Sequence, residues 1–222
     1  MRIKTPITKA RLRNHIAYHW WMYLLAVAAS VFGWNLLYSA TAYRSPQNLR
    51  VDVYIQGARA TEDQVNAFLK PVWEAYVPEM ETVSSVLLTT SSQDYYGNMQ
   101  LTVYIMANEG DIYLLSSNDF KSFASQGVFL DLQPFIDSGQ LNAEGLDLSA
   151  GYVALVDDEG IAASERTLFG IPAHQLPGLQ TGMGVDCQNT VLCVTAFNEN
   201  EENVIRFLDG LLAAGRMENT AE

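Results

Sequence analysis

The 222-residue chain is poor in the residues that carry most protein chemistry: two cysteines, three histidines and only thirteen lysines and arginines against twenty-five acids. Two cysteines cannot build a disulfide-held scaffold. The sequence holds no Gly-x-Ser-x-Gly elbow, His-Glu-x-x-His pair, P-loop or dinucleotide fingerprint, so the enzyme classes that announce themselves this way have no signature here. Acid is missing altogether from residues 1–42, and no charge of either sign occurs between Arg13 and Arg44. What is abundant is apolar: 49% of the residues are hydrophobic and 11% aromatic. That excludes a disordered chain and implies a buried core. The length suits one domain of about 100–200 residues with an appendage.

The missing charges partition the chain. Residues 1–42 hold five cations (Arg2, Lys4, Lys9, Arg11, Arg13), which leaves eight against all twenty-five acids in residues 43–222, a net of −17 there. So acidic a domain repels phosphate backbones and anionic lipid, and no nucleic-acid partner is expected. The run from Trp20 to Tyr38 is long enough to cross a bilayer, with Trp20, Trp21 and Tyr23 at one end and Trp34, Tyr38 and Tyr43 at the other. Aromatic belts flank membrane spans in this way, and preceding cations stay in the cytoplasm. The expected organisation is a basic cytoplasmic segment (1–19), a signal anchor in the lipid bilayer (20–42), a tether (43–50), an extracytoplasmic α/β lobe (51–216) and a tail (217–222). This places the chain in a bacterial cytoplasmic membrane as a single-pass protein, C-terminal domain outside. Ser39-Ala40-Thr41-Ala42 also fits a cleavage site, so removal of the leader after Ala42 is the alternative. His15 and His19 precede the span without a third ligand, and no metal or cofactor is expected.

After the tether, Val51 to Ile55 alternate as a strand. Thr61-Glu62-Asp63 opens a helix whose apolar face runs through Val65, Phe68, Leu69, Val72, Trp73 and Tyr76, and Val83 to Thr90 form a second strand. The βαβ order implies parallel neighbours. Residues 99–108 suit a strand or a helix by pattern alone. Asp111 to Leu115 then read as a covered strand, Ser116 to Asp119 as turn and cap, and Phe120 to Gln126 as a short helix stopped by Gly127.

The stretch from Asn108 to Ile136, with Glu109, Gly110, Asp111, Gly127, Leu132, Pro134 and Ile136 in place, resembles the extracellular solute-binding proteins of ABC importers, carbohydrate type, with the periplasmic-binding-protein type 2 fold. Leu168-Phe169-Gly170-Ile171-Pro172 is similar to that family's hinge approach, and Val191 to Phe197 followed by Asn198 to Leu212 is similar to its returning strand and helix. The resemblance implies that residues 97–108 are helical. It also implies two lobes, yet only eighteen residues separate Pro172 from Val191, too few for a second one. The expected fold is therefore α/β: a single three-layer lobe of that type behind one transmembrane helix.

One wall of a cleft leaves a ligand wet, so tight small-molecule binding by the monomer is not expected. Any ligand would meet the loops after the strand ends, where Gln56, Ser91, Ser92, Ser116, Ser117 and Asn118 lie, although the same residues serve equally as caps and turn formers. Cys187 and Cys193 stand close enough in sequence to close a hairpin disulfide, with a buried reduced pair as the other reading. His174 sits between Pro172 and Pro177 as a loop residue. Asp157-Asp158-Glu159 and Glu199 to Glu202 occupy turn-like and helix-start contexts. The chain reads as a non-catalytic module contacting a membrane transport complex. The alternatives are a structural or assembly subunit that binds another cell-surface protein, and a released single-lobe binder.

Overall fold

A computed structural model describes residues 8–41, 43, 45–88, 95–157, 160–197 and 200–217. The chain divides into two compact units, Met1–Arg44 and Ser45–Glu222.

The first unit is one helix, α1 (Lys9–Thr41). Its stretch from Arg13 to Thr41 is long and apolar enough to cross a membrane by length and composition, with a mean hydropathy of 1.4. Apolar side chains surround it: Trp20, Leu24, Val27, Phe32 and Trp34 are all exposed along the helix. A helix without a polar face gains nothing from packing one side on a sheet. Two of its hydroxyls bond back to the helix, Ser30 Oγ donating to the Ala26 carbonyl at 2.8 Å and Thr41 Oγ1 to that of Leu37 at 2.7 Å. Such back-bonding removes the cost of carrying a polar group into an apolar medium.

The second unit is a helix–sheet–helix sandwich. Strand β1 (Arg50–Gln56) leads to α2 (Glu62–Tyr76), and β2 (Thr82–Leu88) returns parallel to β1. Thr61 caps α2 in a reciprocal box with Gln64, which fixes where the helix starts. Helix α3 (Tyr95–Met106) crosses to β3 (Ile112–Ser116), which lies parallel to β1 on its other side. The ambiguous stretch is thus helical, as the resemblance implied, and Leu101 and Ile105 are its buried positions. Helix α4 (Ser117–Ala124) follows β3 directly, and the short α5 (Gln133–Asp137) starts on Pro134.

A hairpin of β4 (Tyr152–Val156) and β5 (Ala162–Leu168) forms a separate two-stranded sheet. Then come β6 (Ile171–Pro172), α6 (Pro177–Met183), β7 (Thr190–Val194) and α7 (Glu201–Arg216). The five-stranded sheet runs β2-β1-β3-β7-β6, with β7 antiparallel to both its neighbours. The late strand therefore returns into the sheet between β3 and β6.

Alternation along the strands sends side chains to two cores. Val53, Ile55, Ile112, Leu114, Leu192 and Val194 pack with α2, α6 and α7. Tyr54, Leu88, Tyr113, Leu115, Val191 and Cys193 pack with α3 and α4 on the opposite face. The lobe is α/β and three-layered, as expected.

The disulfide expectation is corrected here. Both cysteines are free and buried. Cys193 lies in β7 facing the α3/α4 core, whereas Cys187, in the 3₁₀ turn before β7, belongs to the α2/α7 core. Their sulfurs point to opposite sides of the sheet, Cys187 Sγ toward the Leu176 carbonyl at 3.3 Å and Cys193 Sγ toward that of Tyr113 at 3.5 Å. Closing a bridge needs Cβ atoms facing one another, and the 3₁₀ turn before β7 leaves Cys187 in one core and Cys193 in the other.

Candidate functional site

Gln56 ends β1, Ser116 ends β3, and both strands run the same way, so the two residues emerge at the same end of the sheet. There the Gln56 carboxamide is used twice. Its Oε1 accepts the Ser116 N–H at 2.7 Å and its Nε2 donates to Asp119 Oδ2 at 2.6 Å. Ser116 Oγ donates to the same carboxylate oxygen at 2.7 Å and accepts the Asp119 N–H at 3.3 Å, which makes Ser116 the N-cap of α4. Asp119 in the first turn of α4 also complements the positive end of the helix dipole.

An open cavity of about 460 Å³ lies over this network, lined by Gln56, Gly57, Asn98, Ser116, Asn118, Asp119, Asp186, Asn189 and Thr190. The far side comes from the segment between α6 and β7. Asp186 accepts the Gln188 N–H at 3.2 Å, and Thr190 Oγ1 donates to the Asp186 carbonyl at 2.8 Å. The lining is polar, with two carboxylates, three asparagine amides beside Gln56 and, among the described residues, no cation.

Of the residues expected at the site, Gln56, Ser116 and Asn118 line this cavity together. Ser117 is the first residue of α4 and does not line it, so it is a helix residue and not the turn former the sequence suggested. Ser91 and Ser92 lie outside the described residues. Sequence reasoning missed Asn98, Asp119, Asp186, Asn189 and Thr190. Asp119 carries a local signal, the Ser-x-x-Asp spacing of a cap. The segment 186–190 carries none, because only the antiparallel return of β7 brings it beside the end of β3.

The eighteen residues between Pro172 and Val191 are divided between two tasks. Leu176, Leu179, Met183, Val185 and Cys187 are buried in the core with α2 and α7, whereas Asp186, Asn189 and Thr190 reach the cleft.

A second open cavity, of about 480 Å³, occupies the opposite end of the strands beside Arg50, Asp52, Gly110, Asp111 and Phe197. Its polar groups are engaged: Arg50 Nε meets Asp52 Oδ2 at 2.9 Å, and Asp111 Oδ2 accepts the Asp52 N–H at 2.7 Å. His174 lies in a 3₁₀ turn after β6, part-buried and outside both cavities. Asp157 accepts the Ile161 N–H in the β4–β5 turn, and Glu201 and Glu202 open α7. These acids do the structural work their contexts suggested; Asp158, Glu159 and Glu199 lie outside the described residues. No group of three or more metal-ligating side chains occurs among the described residues.

No protein-family description and no curated protein matches the chain. Solved structures do. An extracellular solute-binding protein family 1 member from Alicyclobacillus acidocaldarius is 18% identical over 58% of this chain and 29% of its own, with a TM-score of 0.41. An ABC substrate-binding protein from Listeria monocytogenes, solved with cycloalternan, is 17% identical over 55% of this chain and 28% of its own, with a TM-score of 0.35. The protein AttC of Agrobacterium tumefaciens, in an open unliganded conformation, is 13% identical over 75% of this chain and 80% of its own, with a TM-score of 0.38. The chain thus spans less than a third of the first two proteins. It is similar to part of an extracellular solute-binding protein, over part of its own length.

Proposed function

We propose that the chain is a membrane-anchored, non-catalytic extracytoplasmic module that works by protein contact within a membrane transport complex and not by capturing a solute. The observation that carries this reading is the Gln56–Ser116–Asp119 network. At the strand ends the polar atoms of Gln56, Ser116 and Asp119 are already bonded to one another. A ligand there would replace made bonds instead of satisfying open ones, with one polar wall to hold it. The Ser116 hydroxyl and the Asp119 carboxylate to which it donates are both tied into the cap of α4, and no histidine lines the cavity among the described residues.

The anchoring half of the proposal rests on α1 and on the charge asymmetry around it. Five cations precede the span and two, Arg44 and Arg50, stand in the tether after it, the bias that keeps the preceding segment inside and leaves the domain outside. Affinity purification of the full chain from detergent-solubilised membranes tests both halves. Recovery in the membrane fraction with transporter permeases is the expected result. Recovery from the soluble fraction, or with unrelated envelope proteins only, overturns the reading in favour of a released binder or an assembly subunit respectively.

A further inference from the structure

The five-stranded sheet has two edges of different character. At one end β6 is two residues long and includes Pro172, which has no N–H to offer. At the other end β2 is seven residues long, paired residue for residue with β1 without a bulge, and contains neither proline nor charge. Edge strands in soluble domains are ordinarily protected by lysine, proline, bulges or brevity, because their outer N–H and C=O groups are a template for another strand. Strand β2 has none of these guards. Among the described residues nothing bonds to its outer backbone: its only contacts across strand ends are Leu88 O with the Gly57 N–H and side-chain bonds of Thr82, Ser84 and Ser85 inward.

Charge selects the partner. In residues 43–222 acids outnumber bases twenty-five to eight, so two copies meeting at an arbitrary face oppose acid to acid. From Thr82 to Asn108 the only charged residue is Asp94. That stretch contains β2 and α3, and α3 shows Met99, Val103 and Met106 to solvent. Closed dimers require a patch that is complementary to itself. The β2 edge meets that condition: an antiparallel pairing about a two-fold axis at Ser85 sets Val83 opposite Leu87 on the α2 face, and Thr82 opposite Leu88 and Ser84 opposite Val86 on the α3 face. No like charges are apposed in that register, and apolar cross-strand neighbours stabilise it. On the axis itself Ser85 is buried and bonded to Asn66 Oδ1 at 2.8 Å, so uncharged groups meet there too.

We propose that the outer edge of β2 is the surface through which two copies of this chain pair, antiparallel about Ser85, to give a continuous ten-stranded sheet. One strand pair covers less than the roughly 1,200 Å² of a standard stable interface. The dimer therefore dissociates on dilution.

Site-specific oxidation of the full chain in intact cells and in detergent extract tests the register. Ser85→Cys should form a disulfide-linked homodimer at least tenfold above the wild-type chain, whose own thiols are buried. Val83→Cys and Leu87→Cys should each cross-link poorly alone, because their own copies stand two residues off the axis on either side. The two co-expressed should cross-link as a mixed dimer, and this holds the test open where Ser85→Cys, at a buried position, fails to fold. Val86→Lys, with its fold checked by circular dichroism, should abolish the dimer in sedimentation. Absence of both the Ser85 and the mixed 83/87 products overturns the proposal. So does equal cross-linking at all three positions, or an adduct with a different protein in place of the homodimer.

Discussion

Gln56 Nε2 and Asp119 Oδ2, sixty-three residues apart in sequence, lie 2.6 Å apart and join the end of β1 to the first turn of α4. The same glutamine accepts the Ser116 N–H, so one side chain ties two parallel strands and a helix together at the cleft. Replacing it with leucine leaves the part-buried Ser116 N–H without its acceptor and takes one of the two donors from Asp119 Oδ2. Gln56→Leu should lower stability by about 1–3 kcal/mol in chemical denaturation. A variant as stable as the parent would show that the network is incidental, and that Gln56 is free for a ligand.

Gly110 sits between α3 and β3 at φ +87°, a backbone conformation that L side chains rarely adopt. A Cβ there would also run into the ring of Tyr54. Both effects act on Gly110→Ala, which should cost about 2–4 kcal/mol. Thermal unfolding of the variant checks it, and Gly57→Ala is the control. Gly57 has positive φ as well, but open space around its Cβ, so its loss should be the smaller of the two.

The sequence made the fold legible where a residue acts locally. Thr61, Glu62 and Asp63 announce the start of α2, Gly127 stops α4 in a left-handed conformation, and alternation gives β1. It was silent where the cause is distant. Helix α3 carries apolar residues on its exposed side as well, with Leu101 buried and Met99, Val103 and Met106 exposed, so its period is lost and only the family resemblance identified it as a helix. The β4–β5 hairpin was missed because Ala162–Leu168 is exposed along most of its length and carries no hydrophobic alternation. At the site, Gln56, Ser116 and Asn118 were found because strand ends are where such clefts form. Asp186 and Asn189 were not, because no local pattern says that β7 comes back antiparallel beside β3.

The two thiols supply a third prediction. Burial pushes the thiol pKa of Cys187 up, and that of Cys193 well up. A thiol held protonated is a poor nucleophile. Iodoacetamide should leave both unmodified in the folded chain at neutral pH and alkylate both in denaturant without reductant. Intact mass reads the result directly. Modification in denaturant only after reduction would restore the disulfide.

Alkaline pH should unfold the lobe through its tyrosines. Tyr54 is almost fully buried and stacks on Tyr113 with ring centres 5.0 Å apart. Burial first, then the charge of Glu109, raises its pKa from 10.0 to about 12, and burial raises that of Tyr113 as well. A folded-state pKa above the unfolded value means stability that is complete below pH 10 and falls as pH rises toward the folded pKa. Each such tyrosine contributes a slope of up to about 1.4 kcal/mol per pH unit. Tyr54→Phe should flatten the loss of stability between pH 10 and 12 relative to the parent. An unchanged slope would place the alkaline sensitivity elsewhere.

The last prediction concerns the cleft. A ligand that binds the folded state at its dissociation constant adds only about 0.4 kcal/mol to stability, and a hundredfold excess adds about 2.7 kcal/mol. With one polar wall, and with Gln56, Ser116 and Asp119 already bonded to each other, neutral oligosaccharides should stay in the first regime at millimolar concentration. The expected thermal shift of the full chain in detergent is then below about 1 °C. Asn118→Ala, which removes an exposed amide at the rim, should change neither stability nor this result. A sugar that binds with micromolar affinity in calorimetry, and loses it in Asn118→Ala, would show that the cleft captures solute without a second lobe. The protein-contact reading of the module would then give way to direct binding.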